Sequence, residues 1–307
     1  MRNDRHAPSG TLIAVIERAP LLVMVAGPNG SGKTTLIEAL QGAGALALPD
    51  CYINADDLAR TRGLDARAAQ RLAARQRLDA IAAKRSFIYE TVMSHPGKIA
   101  ELQAAAQAGF VITVLYVATE HPDINIERVR LRVADGGHDV PRDRIRARHR
   151  RSLALAPSAL AFAAHAYVYD NTPWGTEAGQ PLQAALAGNR LRALVARPVP
   201  WVAALVDTVN ARAAELERLC AGAGNRAALA APNLLDGASE GAFTAVGEYY
   251  AFQIDDASGR AIVHDRALLA KPVAAGARYR VAYAEGVSKV TRLARARLVA
   301  VAKGSDR

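Results

Sequence analysis

The chain has only two cysteines, Cys51 and Cys220, among its 307 residues. They lie far apart and lack the spacing of metal ligands, so the sequence predicts neither a disulfide framework nor a zinc site. It also lacks an apolar run near the roughly 18 residues that a membrane helix needs, and its first ten residues are polar. We therefore expect no membrane association, no signal peptide and a cytoplasmic location.

Aromatic residues are scarce at 5%, whereas hydrophobic residues make up 51% of the chain and charged residues 22%. Such a composition is typical of a globular protein, and the abundance of alanine favours helices over a large β sandwich. The length permits a well-buried core and two domains.

Acidic residues are too few to balance the lysines and arginines, which leaves a net charge of +10. Clustered arginines can neutralise the phosphates of a nucleic acid. The alternative is an arginine-rich composition spread over solvated helix faces. We favour the alternative, so a nucleic-acid partner is a second choice.

The stretch from Leu21 to Thr35 carries the most specific motif of the chain. An apolar run predicts a buried strand, and residues 27–34 then fit the Walker A pattern G-x-x-x-x-G-K-[ST]. In such a loop, backbone N–H groups bind the phosphates of a nucleoside triphosphate, Lys33 reaches the β and γ phosphates, and Thr34 binds Mg²⁺. The alternative is a glycine-rich turn that binds nothing. The predicted nucleotide-binding residues here are Gly27, Pro28, Asn29, Gly30, Ser31, Gly32, Lys33, Thr34 and Thr35.

Four further apolar runs follow this first strand at spacings that leave room for helices. Together they predict an α/β fold of the P-loop NTPase type, a doubly wound parallel sheet of five strands with helices on both faces. The runs are Leu46 to Ile53, Ser86 to Tyr89, Phe110 to Val117 and Ala166 to Tyr169, and helical segments are expected at Leu58 to Ala83 and Ile99 to Ala108.

Carboxylates follow two of these strands, at the sheet edge where ligands bind in open α/β folds. Asp56 follows the second strand and suits the general base of a kinase, although it could instead be the N-cap of the helix from Asp57 to Arg60. Glu90 ends the third strand and could instead polarise water in an ATPase. The ATPase interpretation is weaker, because the sequence shows neither a second motor half nor an identifiable arginine finger.

Nine arginines are concentrated between Arg128 and Arg151. Arg144, Arg148 and Arg151 recur at i, i+4 and i+7, which places them on one face of a helix. Three guanidinium groups on one face repel each other unless an anion lies opposite them, so we predict a helical lid that closes over the nucleotide. A solvated basic helix is the alternative.

The residues just described resemble the zeta toxin family of small-molecule kinases. The resemblance rests on GPNGSGKTT, YINADDLA, FIYETVMS, RLRVADGGHDVP followed by IRARHRRSL, and YDNT, which together span residues 21–172. It implies ATP and Mg²⁺ as cofactors and phosphorylation of the 3′-hydroxyl on the amino sugar of UDP-N-acetylglucosamine, which would poison cell-wall precursor synthesis. It also implies a small helical antitoxin as partner, for which residues 1–20 could be an internal substitute.

The same resemblance implies a role for each site residue. Lys33 and Thr34 would bind phosphate and metal, and Asp56 would be the catalytic base. The acceptor would contact Glu90, Thr91 and Ser94. The lid would use Arg132, Arg148 and Arg151, with the latter two catalytic, and the adenine would lie near Asp170 and Asn171.

Glycines and prolines between residues 175 and 200 predict a boundary that follows a P-loop domain of residues 1–195. A helical linker is expected over residues 196–238 and a small, mainly β module over 239–307. The module itself is predicted from Ala242 to Val287, with a basic tail from Lys289 to Arg307. It resembles the KfrB-type domain without a specific motif, and we favour a generic small β barrel. Of two isolated histidines, His138 could bind phosphate or pack the lid, and His165 is expected to be structural.

Overall fold

The computed structural model describes residues 19–44, 48–137, 139–172, 181–188, 190–222 and 229–294. Within these ranges the chain forms two sheets and seven α-helices. The helices are α1 Lys33–Gly42, α2 Ala55–Arg62, α3 Ala66–Ala82, α4 Gly97–Gln107, α5 Pro122–Ala134, α6 Arg142–Leu160 and α7 Pro200–Gly222. His138 and residues 1–18 of the proposed internal antitoxin segment lie outside the described residues.

The first sheet has seven strands in the order β2-β3-β1-β4-β5-β6-β7. Its strands are β1 Leu21–Ala26, β2 Tyr52–Ile53, β3 Phe87–Thr91, β4 Val111–Ala118, β5 His165–Asp170, β6 Leu182–Ala187 and β7 Arg190–Leu194. The first five are parallel, as predicted, and the central strands β1, β3 and β4 are almost entirely buried. The α/β class with a parallel sheet is therefore confirmed.

The prediction of five strands was wrong, because β6 and β7 extend the sheet antiparallel to β5. They lie in the stretch rich in glycine and proline that suggested a boundary. Gly188 adopts φ 57° in the turn between them and donates its N–H to the oxygen of Ala163 at 2.7 Å. The glycine therefore marks a hairpin within the sheet.

Two other predicted elements differ in extent. Only Tyr52–Ile53 of the predicted second strand pairs in the sheet, and residues 45–47 lie outside the description. The helical region predicted from Leu58 to Ala83 consists of two helices, since Gly63 ends α2 in a left-handed conformation with φ 62°. Asp65 then caps α3 by accepting the N–H of Ala68 at 2.8 Å.

The second sheet has six strands in the order β13-β12-β9-β10-β11-β8. The strands are β8 Leu229–Ala230, β9 Ala238–Val246, β10 Tyr250–Asp255, β11 Ala261–Asp265, β12 Arg278–Ala284 and β13 Val287–Arg292, and a short 3-10 helix covers Arg266–Leu268. The basic tail predicted from Lys289 is corrected, because residues 289–292 belong to β13, which pairs with β12. Residues from 295 onward are not described.

Helix α7 joins the two sheets by buried polar contacts. Its Arg212 donates to Asp265 of β11 at 2.7 Å, and Asp265 also accepts from Ser158 of α6 at 2.6 Å. Glu215 of α7 accepts the backbone N–H groups of residues 248–250, each at 2.8 Å. Apolar side chains from α7 and both sheets form one continuous core. Cys51 and Cys220 are free thiols, and among the described helices none is both long and apolar enough to cross a membrane.

Candidate active site

The loop between β1 and α1 has a backbone that only glycine can adopt at two positions. Gly27 has φ 153°, and a Cβ there would lie 1.9 Å from the oxygen of Val117. Gly30 has φ 73°, and its Cβ would lie 2.7 Å from the oxygen of Asn125. The motif glycines thus let the loop fold tightly against its neighbours and present its N–H groups at the start of α1.

Lys33 lies over this loop and donates to the carbonyl oxygens of Gly27 and Pro28, both at 3.0 Å. Burial lowers the pKa of its ammonium group to about 8, and the carboxylate of Glu90 opposes this shift. An ammonium group held this way lacks an anionic partner strong enough to offset its desolvation. Phosphate oxygens in the loop would supply that partner.

The charges that act on Lys33 show which predicted site residues are brought together. Asp56 and Glu90 raise its pKa, and Arg132 and Arg148 lower it. Two carboxylates and two guanidinium groups from four different segments therefore lie close enough to Lys33 to change its pKa. This is the charge distribution expected around a triphosphate and a hydroxyl acceptor.

A hydrogen-bonded chain connects the phosphate loop with the ends of β2 and β3. The Thr34 hydroxyl lies 3.3 Å and 3.2 Å from the two carboxylate oxygens of Glu90. Glu90 also accepts the hydroxyl of Tyr52, which in turn accepts the amide of Asn54 at 3.0 Å. The sequence interpretation missed Tyr52 as a site residue, and its position in YINADDLA is the signal that could have identified it.

Asp56 is not the N-cap of α2, so that alternative was wrong. The cap is Asn54, whose Oδ1 accepts the N–H groups of Asp56 at 2.8 Å and Asp57 at 3.4 Å. Asp57 pairs with Arg60 at 2.9 Å, while Asp56 is exposed and close enough to Lys33 to raise its pKa. The cap fixes the position of Asp56 without using its carboxylate.

Helix α6 carries the predicted arginine face, and two of its members contact the site. Arg148 donates to Oδ1 of Asn29 in the phosphate loop at 3.2 Å, and Arg151 donates to the oxygen of Ser94 at 3.2 Å. Burial lowers the pKa of Arg148, and Arg144 and Arg151 lower it further. Arg148 is half-buried, Arg151 is exposed but bonded to the loop that follows β3, and Arg144 is exposed.

A second set of amides holds the phosphate loop from the other side. Asn125 of α5 donates to the oxygen of Asn29 at 2.6 Å, and Asn171 donates to the oxygen of Ser31 at 2.8 Å. Asp170 is buried and accepts from Trp201 at 2.8 Å and from Thr172 at 2.6 Å. Of the two residues predicted near the adenine, Asn171 thus contacts the loop and Asp170 is bonded inside the protein. The sequence interpretation did not select Asn125.

The remaining predicted residues are distributed as follows. Thr91 accepts the N–H of Met93 at 3.0 Å through its hydroxyl and accepts the N–H of Gly27 at 3.1 Å through its carbonyl. Thr35 is exposed on α1, and the exposed His165 begins β5.

The donor set fits a nucleotide with a phosphate-bound metal. The hydroxyl of Ser31 in the loop is buried without a partner among the described residues, which is a group that a phosphate oxygen would satisfy. Thr34 and Glu90 offer the hard oxygen atoms that Mg²⁺ prefers. Within the described ranges no cluster of three or more His, Cys, Asp or Glu residues could hold a metal alone. Phosphate oxygens of a bound nucleotide would supply further ligands to Mg²⁺.

Two family models match the chain. The model of the Zeta toxin family matches residues 11–171, and the KfrB domain model matches residues 239–292. Both resemblances predicted from the sequence are confirmed, and the preference for a generic β barrel was wrong.

The chain is also similar to individual proteins. An uncharacterised protein of Haemophilus influenzae is 28% identical over 127 residues, which are 41% of this chain and 91% of that protein. The AvrRxo1-ORF1:ORF2 complex crystallised with ATP is 14% identical, with a TM-score of 0.42 over 57% of this chain and 60% of that one. The PezAT toxin-antitoxin structure of Streptococcus pneumoniae is 13% identical, with a TM-score of 0.36 over 50% of this chain and 68% of that one.

Proposed function

Because the chain belongs to the Zeta toxin family, we propose that it is an ATP-dependent phosphotransferase that acts on a sugar hydroxyl of a nucleotide sugar. The 3′-hydroxyl of UDP-N-acetylglucosamine is the best candidate acceptor. The observation that carries the proposal is the geometry of the phosphate loop, where Lys33 lies over the loop carbonyls, Thr34 contacts Glu90 and Arg148 donates to Asn29.

In this mechanism Asp56 is the general base. The acceptor hydroxyl gives its proton to the Asp56 carboxylate as its oxygen bonds to the γ-phosphorus, and the bond to the bridging oxygen breaks to release ADP. The exposure of Asp56 supports this role, because an exposed carboxylate is accessible to a small molecule. The Asn54 cap supports it further by holding the start of α2 in place.

The positive groups stabilise charge on the transferred phosphoryl group. Lys33 would exchange its two carbonyl partners for phosphate oxygens, and Arg148 is already held over the loop by Asn29. Arg151 and Arg132 would add charge as the lid closes and excludes water. Thr34, with Glu90 beside it, would hold Mg²⁺, which neutralises charge on the phosphate oxygens when bound.

The acceptor is proposed to lie along the end of β3 and the following loop, where Glu90, Thr91 and Ser94 are. The contact of Arg151 with the oxygen of Ser94 supports this, because it brings the lid and that loop together. A small helical antitoxin that covers the nucleotide site remains our proposed partner, and a cytoplasmic location remains an expectation.

The test is to incubate the purified protein with ATP, Mg²⁺ and UDP-N-acetylglucosamine and to detect a phosphorylated sugar by mass spectrometry. Asp56→Asn keeps size and removes the charge, so we expect nearly unchanged ATP binding and phosphoryl transfer lowered about 10²-fold or more. Asp57→Asn is the matched control, because Asp57 pairs with Arg60. Equal turnover by the wild type and Asp56→Asn would remove Asp56 from the mechanism.

An ATPase that binds nucleic acid through the β module has less support. Arg278 and Arg280 of β12 are paired with Asp256 and Glu240, so their charges are partly neutralised. ATP turnover stimulated only by DNA or RNA, and steeply weakened by salt, would favour this alternative.

A further inference from the structure

The turn between β12 and β13 lies directly against the loop that precedes α4. A Cβ on Gly286 would lie 2.4 Å from the oxygen of Pro96, and a Cβ on Gly97 would lie 2.9 Å from the oxygen of Glu285. Gly286 has φ 80°, a conformation that other residues rarely adopt. Two backbones therefore touch with no room for a side chain between them.

The β12–β13 turn is also linked to α4 through the segment of residues 232–235. The N–H groups of Glu285 and Gly286 donate to the oxygens of Leu235 and Leu234, both at 2.7 Å. The buried Gln103 of α4 accepts the N–H of Leu234 at 2.9 Å and donates to the oxygen of Pro232 at 2.9 Å. The turn, segment 232–235 and α4 thus form a closed set of contacts.

The loop from Thr91 to Gly97 is the segment proposed to contact the acceptor. At one end the N–H of Gly27 donates to the oxygen of Thr91, and near the other end Arg151 donates to the oxygen of Ser94. Between them Met93 is buried with φ 49°, a strained conformation for a residue with a side chain. Such a conformation persists only where surrounding structure holds it.

Charged side chains of α4 and of the β12–β13 turn also interact at this contact. Burial lowers the pKa of Lys98, and the carboxylates of Glu101 and Glu285 oppose that shift. Lys98 forms an ion pair with Glu101 at 2.6 Å in the first turn of α4. The carboxylate of Glu285, in the β12–β13 turn, therefore acts on a charged pair at the start of this helix.

We propose that the β12–β13 turn is a positioning element of the kinase, which holds the loop of residues 91–97 in the shape that binds the acceptor. The KfrB-type module then belongs to the catalytic unit. This inference rests on the proposed function, in which Thr91 and Ser94 contact the acceptor. It implies an effect on acceptor use rather than on ATP affinity, because the turn contacts this loop at Pro96 and Gly97, whereas the phosphate loop contacts it at the opposite end, at Thr91.

Gly286→Ala tests the contact, with Gly276→Ala as a matched control. Both glycines lie in turns of the β module with φ of 80° and 75°, so alanine strains both backbones alike. A Cβ at Gly276 meets nothing within 4 Å, whereas at Gly286 it meets Pro96. We expect Gly286→Ala to lower kcat/KM for the acceptor between about 10-fold and 10²-fold at unchanged ATP Kd, and Gly276→Ala to change neither.

Hydrogen exchange of the amides of residues 91–98 separates this inference from the proposed function. Faster exchange in Gly286→Ala and not in Gly276→Ala supports the positioning contact, even if the wild type phosphorylates no nucleotide sugar. Equal exchange and equal activity in the two variants would overturn it.

Gly97→Ala provides a second route if Gly286→Ala does not fold. Alanine is favourable in a helix, and Gly97 begins α4 with no left-handed φ, so this variant is expected to fold. Its Cβ presses on Glu285 from the other side, and we expect faster exchange of the Glu285 and Gly286 amides. Unchanged exchange at these two amides would contradict the proposal.

Discussion

The hydroxyl of Thr34 lies within 3.3 Å of both carboxylate oxygens of Glu90, which joins the metal-binding end of the phosphate loop to the end of the neighbouring strand β3. Sequence reasoning assigned Thr34 to the metal and Glu90 to the acceptor. Their contact gives Glu90 a second possible role, in orienting the metal site.

Glu90→Gln tests this second role. Partners of a metal ligand usually contribute 10-fold to 100-fold to affinity or activity, so we expect the Mg²⁺ concentration for half-maximal activity to rise by about 10-fold. Glu38→Gln, on the exposed side of α1, removes the same charge away from the site and should leave the Mg²⁺ dependence unchanged. A raised acceptor KM without a change in Mg²⁺ dependence would limit Glu90 to the acceptor.

Arg148→Ala removes a guanidinium group that is held over the phosphate loop by Asn29. Loss of one fixed donor to a developing charge typically lowers kcat by 10²-fold to 10³-fold, so we expect a loss of about 10²-fold with little change in ATP Kd. Arg144→Ala, one turn earlier on the same face and exposed, is the control and should retain most activity. Equal losses in the two variants would mean that the helix contributes only general positive charge.

The parallel sheet and the residues at its strand ends were predictable from the sequence. Apolar runs of strand length specify buried strands, and parallel strands bring their carboxyl ends to one edge. This placed Asp56 and Glu90 near Lys33 without knowledge of any contact. The i, i+4, i+7 spacing likewise placed Arg148 and Arg151 on one face.

Other features depended on long-range pairing that a local pattern does not encode. Asp170 lies at the carboxyl end of a buried strand as Glu90 does, yet its carboxylate accepts from Trp201, which lies in helix α7. The contact of Asn125 with the phosphate loop depends on how α5 packs. Strand β6 forms by pairing with the edge of β5, which its own sequence does not indicate. The sequence therefore did not predict the direction of these side chains or the pairing of strands at the edge of the sheet.

The lowered pKa of Lys33 predicts proton uptake on ATP binding. Because its pKa in the free protein is about 8, most molecules carry a neutral Lys33 at pH 8.5, and bound phosphate would favour the charged form. Calorimetry at pH 8.5 in two buffers of different ionisation enthalpy measures this uptake. Lys33→Arg keeps the charge at all pH values and should show no uptake from this position. Equal proton uptake by both proteins would contradict the prediction.

His264 predicts how the β module responds to acid. It is fully buried, with its ring nitrogens 2.9 Å from the hydroxyl of Tyr283 and 3.0 Å from Oε1 of Gln253, so the neutral ring satisfies both partners. Burial lowers its pKa to about 4, whereas a histidine in the unfolded chain titrates near pH 6.5. Between these values only the unfolded state binds the proton.

The free energy of unfolding should therefore fall as the pH drops from 6.5 to 4, by about 3 kcal/mol from this residue alone. Urea denaturation at pH 7, 5.5 and 4.5 measures the change. His264→Gln should be less stable at pH 7, because it loses the hydrogen bonds of the ring. Because glutamine cannot be protonated, this variant should lose less further stability on acidification. If the wild type and His264→Gln lose the same stability between pH 7 and 4.5, the buried histidine is not a source of the acid sensitivity, because its titration is the only difference between the two proteins in that window.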